Sequence, residues 1–139
     1  MLKHIKLYSD GGSRGNPGPA AGAYVIKDTS EKIVDQGSIY LGEATNNVAE
    51  YSALLLGLTK AVELDIEQVD VFADSELLIK QLKGEYKVRD LTLAKLFVKI
   101  WNCQLKFKKI SFCHIPRERN CAADQLVNEM LDRQLAKKR

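Results

Sequence analysis

The sequence predicts a mixed α/β fold in which helices cover a β-sheet. Three segments with strand-like alternation follow one another near the N-terminus and are joined by short polar connectors, which is typical of an antiparallel meander. Two further strand-like segments are each preceded by helical segments, and crossovers of this kind favour parallel pairing. We therefore expect strands 1 to 3 to be antiparallel and strands 4 and 5 to pair in parallel.

The three N-terminal strands are predicted from alternating side chains. Ile5, Leu7 and Ser9 alternate with their neighbours, which predicts a first strand that ends near Asp10. Residues 11–19 are rich in glycine and proline and are predicted to form a turn. The second and third strands are predicted over residues 21–27 and 33–41.

A long apolar helix is predicted over residues 47–64, with Thr45 or Asn46 capping its free N–H groups. A short strand over residues 68–73 follows it. Asp74 and Ser75 then cap a second helix, which ends before Gly84. Both crossovers from this strand are thus helical.

The C-terminal third is predicted to contain two more helices and one strand. Asp90 caps a third helix, and Trp101 on its apolar face is expected to pack in the core. The fifth strand is predicted over residues 106–113, and the last helix runs from Asn120 to Ala136.

Composition excludes several classes of protein. The 139 residues suit one domain over 1–139, and 45% hydrophobic with 28% charged residues argues against disorder. No apolar run reaches the length of about eighteen residues that a membrane span needs. The N-terminal segment lacks the apolar run of a signal peptide, so we expect a cytoplasmic protein.

The three cysteines are an odd number for a disulfide framework. Their spacing also lacks the pattern of zinc ligands. Free thiols are therefore expected at Cys103, Cys113 and Cys121. A bridge between Cys113 and Cys121 is the alternative, because the sequence does not define their geometry.

The net charge of +3 is distributed unevenly. Residues 28–76 contain eleven acidic and two basic side chains, whereas residues 80–109 contain nine basic and two acidic. A solvated lysine-rich face is the simpler explanation of the basic stretch. The alternative is a phosphate-facing surface beside an acidic metal site.

Four acids occupy positions where active sites form. In open α/β sheets, sites lie beyond the carboxyl ends of the strands. Asp10 and Asp74 stand at two such ends, and Glu50 and Asp124 lie in the first turns of two helices. Each also has a structural explanation, because Asp74 could cap a helix, Glu50 and Asp124 could complement helix dipoles, and Asp10 could initiate a turn.

The chemistry of such a group points to divalent cations. Clustered carboxylates repel one another and raise their own pKa values unless cations neutralise them. Their hard oxygen ligands suit Mg²⁺ or Mn²⁺. Two such ions roughly 4 Å apart can activate water and stabilise a leaving oxygen in phosphodiester cleavage.

Four segments carry a resemblance to a known family. In chain order they are residues 8–19 (YSDGGSRGNPGP), 45–50 (TNNVAE), 74–75 (DS) and 114–124 (HIPRERNCAAD). A lone Asp-Gly-Gly would be weak, whereas the ordered set spans most of the chain and is specific. With these segments the sequence resembles type 1 ribonuclease H.

The resemblance implies a five-stranded mixed sheet, with strands 4 and 5 parallel to strand 1 and helices on both faces. It implies an endonuclease that hydrolyses the RNA strand of RNA–DNA hybrids with two Mg²⁺ or Mn²⁺ ions. The implied metal ligands are Asp10, Glu50, Asp74 and Asp124, the same acids as above. His114 would serve in proton transfer or product release. A structural residue at a strand end is the alternative for His114, and Arg117 or Arg119 could share its electrostatic role.

Substrate recognition by such an enzyme depends on the 2′-OH, which distinguishes RNA from DNA. The glycines would let the backbone approach the minor groove closely. Turn formation and helix capping are the alternative roles of the asparagines. By resemblance, the residues that contact the hybrid are Gly11, Gly12, Ser13, Asn16, Thr45, Asn46, Asn47 and Glu76.

Two departures from the family pattern matter. Residues 83–88 are too few to hold the basic helix and loop of larger members, so the chain resembles a short form lacking the basic protrusion. Weaker or more salt-sensitive hybrid binding is expected. Asp90 stands where many members have Asn near a DNA-phosphate pocket that also uses Thr45. A carboxylate there would repel phosphate, and we expect Asp90 to act mainly as a helix cap.

Other functions of the same fold stay open. One is a module that binds hybrids or structured RNA with weak or no cutting. Another is a metal nuclease that acts on a DNA junction or on double-stranded RNA. The intact acidic set argues against the first. A monomer without protein or membrane partners is expected.

Overall fold

A computed structural model describes residues 2–137 of the chain. Its strands are β1 (His4–Ser13), β2 (Gly18–Lys27), β3 (Ile33–Ala44), β4 (Gln68–Ala73) and β5 (Lys109–His114). They form a five-stranded sheet in the order β3-β2-β1-β4-β5. β1 pairs antiparallel with β2 and parallel with β4, while β2–β3 is antiparallel and β4–β5 parallel. The mixed sheet expected from the sequence is confirmed.

Helices cover both faces of this sheet, as expected. They are α1 (Asn46–Glu63), α2 (Glu76–Leu82), α3 (Leu91–Gln104) and α4 (Cys121–Lys137). The main core lies between the sheet and α1, α2 and α3, and it includes the buried side chains Leu7, Leu54, Leu58, Ile79 and Ile100. α4 packs on the opposite face, where Val127 and Leu131 contact Ala21 and Ala23.

Side-chain caps fix the starts of three helices. Thr45 Oγ1 accepts from the Val48 N–H at 3.2 Å, Ser75 Oγ accepts from Leu78 at 3.2 Å, and Asp90 Oδ1 accepts from Leu93 at 3.0 Å. Each bond satisfies an N–H that lacks a partner inside its helix. The segment 83–90 that joins α2 to α3 contains no helix, as the short form requires.

The prediction of a turn over residues 11–19 was largely wrong. β1 continues to Ser13, where residues 11–13 pair with residues 20–22 of β2. A Cβ on Gly11 would lie 2.3 Å from the carbonyl carbon of Ala49. Glycine is therefore required at position 11 because α1 packs closely against β1. A glycine-rich segment is also typical of a turn, which is why the sequence favoured the wrong prediction.

The predicted start of β5 and the predicted burial of Trp101 were also wrong. The N–H groups of Lys106 and Phe107 donate to the carbonyls of Cys103 and Gln104 at 3.0 and 3.2 Å, so they finish α3 instead of pairing in the sheet. The side chain of Phe107 lies in that turn and is buried, so the sequence shows the same alternation of apolar and polar residues as a strand. Trp101 is 47% exposed.

The three cysteines are free thiols, so no Cys113–Cys121 bridge forms. Cys113 and Cys121 are exposed, and Cys103 is half-buried. Within residues 2–137, no helix has the length and apolar character needed to cross a membrane.

Candidate active site

A cleft of about 460 Å³ opens where β1 and β4 separate. Ser9 and Ala73 form the last pair between these parallel strands. Asp10 follows Ser9 but still pairs with Ala23 of β2, so it lies inside β1 and not at the strand end that the sequence predicts. Asp74 follows the last residue of β4. Parallel pairing thus brings both carboxylates to one edge.

Two helices bring the other two acids to the same cleft. Glu50 is the fifth residue of α1, whose close approach to β1 carries it to the sheet edge. Carboxylate oxygens of Asp10, Glu50 and Asp74 all lie within 4.8 Å of one another. Asp124, in the first turn of α4, lines the cleft, and its charge is one of those that raise the pKa of Asp10.

Most structural explanations for these acids fail against the geometry. Ser75, not Asp74, caps α2. Glu50 lies beyond the first turn of α1, which contains no acid. Asp10 belongs to a strand rather than a turn. Only Asp124 keeps its alternative role as an acid at a helix N-terminus.

The cleft disfavours the charged forms of Asp10 and Glu50. Burial, together with the charges of Asp74, Asp124 and Glu50, raises the pKa of Asp10 to about 8. Burial also raises the pKa of Glu50 to about 7, although a hydrogen bond with Ser75 opposes the rise. These carboxylates would ionise together only beside compensating positive charge.

The described residues supply little of that charge. Arg117 Nη2 lies 3.8 Å from Asp124 Oδ1, but its side chain is 82% exposed. Arg14 lines the cleft and pairs with Asp132 at 2.7 Å. Across residues 2–137, no basic side chain forms an ion pair with Asp10, Glu50 or Asp74. An all-oxygen donor set with excess negative charge fits Mg²⁺ or Mn²⁺.

The substrate-contact candidates divide between two neighbouring cavities. Gly11, Gly12, Ser13 and Asn46 line the acidic cleft, and the Ser13 N–H donates to Asn46 Oδ1 at 2.8 Å. Asn16 Oδ1 accepts from the Asn46 N–H at 3.0 Å. A second groove of about 360 Å³ is lined by Asn16, Thr45, Asn47, Val48, Asp90, Thr92 and Leu93.

His114 and Glu76 line neither of these cavities. His114 ends β5 and is exposed, with Nε2 3.3 Å from the Asp74 carbonyl oxygen. Glu76 begins α2, and its Oε1 lies 2.8 Å from Lys80 Nζ. His114 is therefore close to Asp74 in space and Glu76 is close to it in sequence, but both lie outside the cleft.

Sequence reasoning placed Asn120 in the last family-like segment and at the start of the last helix, but it missed the contacts of Asn120 with the site. The side chain is 1% exposed, and Nδ2 donates to the Ser9 carbonyl at 2.8 Å and to Asp74 Oδ2 at 3.2 Å. Its position four residues before Asp124 is the only local signal, because both contacts join distant parts of the chain. Arg14 was also missed as a residue of the cleft wall.

Comparison with known proteins identifies the family. The model of the family described as "Reverse transcriptase-like" matches residues 8–130. The ribonuclease HI of Halobacterium salinarum is 40% identical over 128 residues, which cover 92% of this chain and 64% of that protein. The chain belongs to the reverse transcriptase-like family. Within that family it is a member of the type 1 ribonuclease H group.

Solved structures agree with this assignment. The N-terminal ribonuclease H domain of a Mycobacterium tuberculosis protein, fused to maltose-binding protein, has a TM-score of 0.94 at 36% identity, with 99% of each chain covered. LC11-RNase H1 in complex with an RNA/DNA hybrid has a TM-score of 0.89 at 44% identity, covering 94% of this chain and 99% of that one.

The sequence relatives are longer than the matched region. A bifunctional protein of M. tuberculosis is 40% identical over 129 residues, which cover 92% of this chain and 35% of that protein. The chain thus spans about a third of the length of the first curated relatives that it matches.

Proposed function

We propose that the chain is an endonuclease that hydrolyses the RNA strand of RNA–DNA hybrids by two-metal-ion phosphodiester cleavage. One observation carries the proposal: carboxylate oxygens of Asp10, Glu50 and Asp74 lie within 4.8 Å of one another. The hybrid bound to the similar LC11-RNase H1 supports the choice of substrate.

The acids hold two divalent ions, with Asp10, Glu50, Asp74 and Asp124 as the ligands. When bound there, Mg²⁺ or Mn²⁺ would activate a water molecule for attack and would stabilise charge on the leaving oxygen. The carboxylates fix the ion positions because their elements are tied to the rigid sheet. The raised pKa values of Asp10 and Glu50 favour a cationic ligand, since a bound ion would compensate for the burial and the neighbouring negative charge that keep these two groups protonated.

The β1–β2 segment and the start of α1 read the RNA strand. Gly11 and Gly12 present backbone in the cleft wall. At Gly12 an added Cβ would meet only Val127 Cγ1, at 3.7 Å, so the absence of a side chain there leaves room for a sugar edge. Ser13 and Asn46 are already joined by a hydrogen bond, so their polar groups are held in place. Asn16, Thr45 and Asn47 extend the contact surface along the second groove.

Two residues outside the cleft complete the proposed machinery. The His114 ring lies beside the Asp74 carbonyl and is exposed. From this position it can exchange a proton with solvent or contact the departing product. Glu76 faces the RNA strand after it exchanges its contact with Lys80 for the substrate. Both roles require a side chain that moves, and both side chains are exposed.

A substrate panel tests the proposal. Labelled RNA–DNA hybrid, double-stranded RNA, double-stranded DNA and single-stranded RNA are incubated with Mg²⁺, Mn²⁺ or chelator. Asp10→Asn and Asp74→Asn are compared with Asp70→Asn, a matched aspartate four residues earlier that lies inside β4. We expect metal-dependent cutting of the hybrid, abolished in the first two variants and retained in the third.

Other outcomes identify the alternatives. Tight hybrid binding without cutting by the wild-type chain would mean a binding module. Comparable cutting of double-stranded RNA would widen the substrate class. Cutting that persists in chelator would overturn the metal mechanism.

A further inference from the structure

Asn120 connects the elements that carry the acids. Its Nδ2 donates to the carbonyl of Ser9, the residue before Asp10, and to Oδ2 of Asp74. Its own carbonyl accepts the Asp124 N–H at 3.1 Å. One residue therefore contacts β1, the end of β4 and the first turn of α4, the three places from which Asp10, Asp74 and Asp124 project.

The orientation of this amide is determined by its surroundings. Both contacts of Nδ2 are to oxygens that only accept hydrogen bonds, so the opposite orientation would oppose oxygen to oxygen. Oδ1 is buried and has no hydrogen-bond partner among the described residues. A buried acceptor without a partner lowers stability, so stability alone is a poor reason for an amide here.

We propose that Asn120 is a positioning residue that holds the Asp74 carboxylate in the geometry needed for metal binding. This inference rests on the proposed function. Asp74 follows β4 directly and does not cap α2, so its own backbone position leaves the side chain free to rotate. The Asn120 amide removes that freedom by taking one carboxylate oxygen and leaving the other for the ion.

The proposal predicts a specific pattern of effects. Partners that orient metal ligands typically change metal affinity or activity by about 10- to 100-fold when they are removed. Asn120→Ala should weaken Mn²⁺ binding about tenfold and lower kcat by at least about tenfold, with the KM for hybrid changed less than about twofold. The Mg²⁺ concentration for half-maximal activity should rise by a similar factor.

Isothermal calorimetry with Mn²⁺ alone, hybrid kinetics over a range of Mg²⁺ and thermal unfolding provide the measurements. Asn120→Asp is the second variant, since it keeps the shape but loses the donor. Gln81→Ala is the matched control, because Gln81 is a buried amide, 6% exposed, that accepts from Tyr51 and donates to the Lys87 carbonyl at 3.1 Å. It should lower Tm without changing Mn²⁺ affinity.

The outcomes separate this inference from the proposed function. Wild-type chain that binds no Mn²⁺ overturns both. If the wild type binds Mn²⁺ and both Asn120→Ala and Asn120→Asp bind it equally well, only the positioning role is overturned. A loss of Mn²⁺ affinity in Gln81→Ala as large as that in the Asn120 variants also overturns it. If only Asn120→Asp folds, weakened Mn²⁺ binding in that variant supports the role and unchanged binding refutes it.

Discussion

The two ends of the parallel strands β1 and β4 carry acids in opposite electrostatic settings. At the starting end, Glu67 lies 3.2 Å from both Lys3 and Lys108, whose hydrogen bonds hold the pKa of that carboxyl below its usual value. Burial raises the pKa of Asp70, but hydrogen bonds from His4 and Ser111 outweigh it. At the finishing end, burial raises the pKa of Asp10 to about 8.

This contrast separates acids that stabilise the fold from the acids that we propose as metal ligands. At the starting end each carboxylate has a donor within the chain, and ionisation favours the folded state. At the finishing end burial opposes the ionisation of Asp10 and Glu50, and no basic side chain within residues 2–137 forms an ion pair with Asp10, Glu50 or Asp74. Sites that need charge from outside are expected to show this pattern.

The largest expected effect is on activity. Glu50→Gln keeps the shape of the side chain but removes a proposed metal ligand, so hybrid cleavage should fall at least about 1,000-fold. The matched control is Glu63→Gln at the far end of α1, where Glu63 pairs with Lys60 at the surface. It should retain full activity. Equal losses in the two variants would erase the distinction between the two kinds of acid.

The next effect is the pH dependence of stability without metal. Burial raises the pKa of Asp10 from its ordinary 3.8 to about 8. Between these values the unfolded chain releases this proton while the folded chain keeps it, so the free energy of unfolding falls as pH rises. From pH 4 to pH 8 we expect a loss of about 2 kcal/mol from this group, after allowance for its partial exposure.

Denaturant titrations in chelator measure this loss. Asp10→Asn removes the ionisation, so its curve should decline less steeply and lie above that of the wild type at pH 8. Added Mg²⁺ should stabilise the wild type more than the variant, because ion binding is linked to folding. Parallel curves for the two proteins would contradict the pKa assigned to Asp10.

A smaller effect with the opposite sign is expected at the starting end. Asp70→Asn weakens the contact with His4, whose Nε2 lies 2.8 Å from Asp70 Oδ2, and should cost about 1 kcal/mol at neutral pH. Because the folded-state pKa of Asp70 is lowered, the wild-type advantage is present above its ordinary pKa and is lost as pH falls through the folded value. Denaturant unfolding of both proteins at pH 7 and pH 3 measures the stability difference. A variant that is as stable as the wild type or more stable at pH 7 would contradict this prediction.

Local patterns in the sequence predicted the strands and the helical crossovers, and the crossovers predicted parallel pairing of strands 4 and 5. That these strands run parallel to strand 1 was implied by the resemblance to ribonuclease H. Asp74 follows β4 as predicted, whereas Asp10 lies inside β1 rather than at its end. Caps at Thr45, Ser75 and Asp90 could be predicted because each acts within three residues of its own position.

Features that depend on distant contacts could not be predicted in this way. Gly11 lies in a strand against which α1 packs closely, and this contact is between residues distant in sequence. Phe107 is buried although it lies in the turn that follows α3, where its N–H donates to the Gln104 carbonyl. Trp101 is exposed although its helix is amphipathic. The contact of Asn120 with Asp74 joins residues 46 positions apart, and no local spacing encodes it.

The smallest expected effect concerns the second groove, where Asp90 combines both kinds of role. Its Oδ1 caps α3, yet its charge faces a cavity that Asn16, Thr45 and Asn47 also line. Asp90→Asn keeps the cap, since Asn and Asp are equivalent there, so stability should change by less than about 0.5 kcal/mol. Loss of repulsion towards phosphate should lower the Kd for hybrid about two- to threefold at low salt, and the gain should fade as salt screens the charge.

Asp90→Ala removes cap and charge together, so it should be less stable by about 1 kcal/mol but bind hybrid with the same gain. An unchanged Kd in both variants would make Asp90 a helix cap alone.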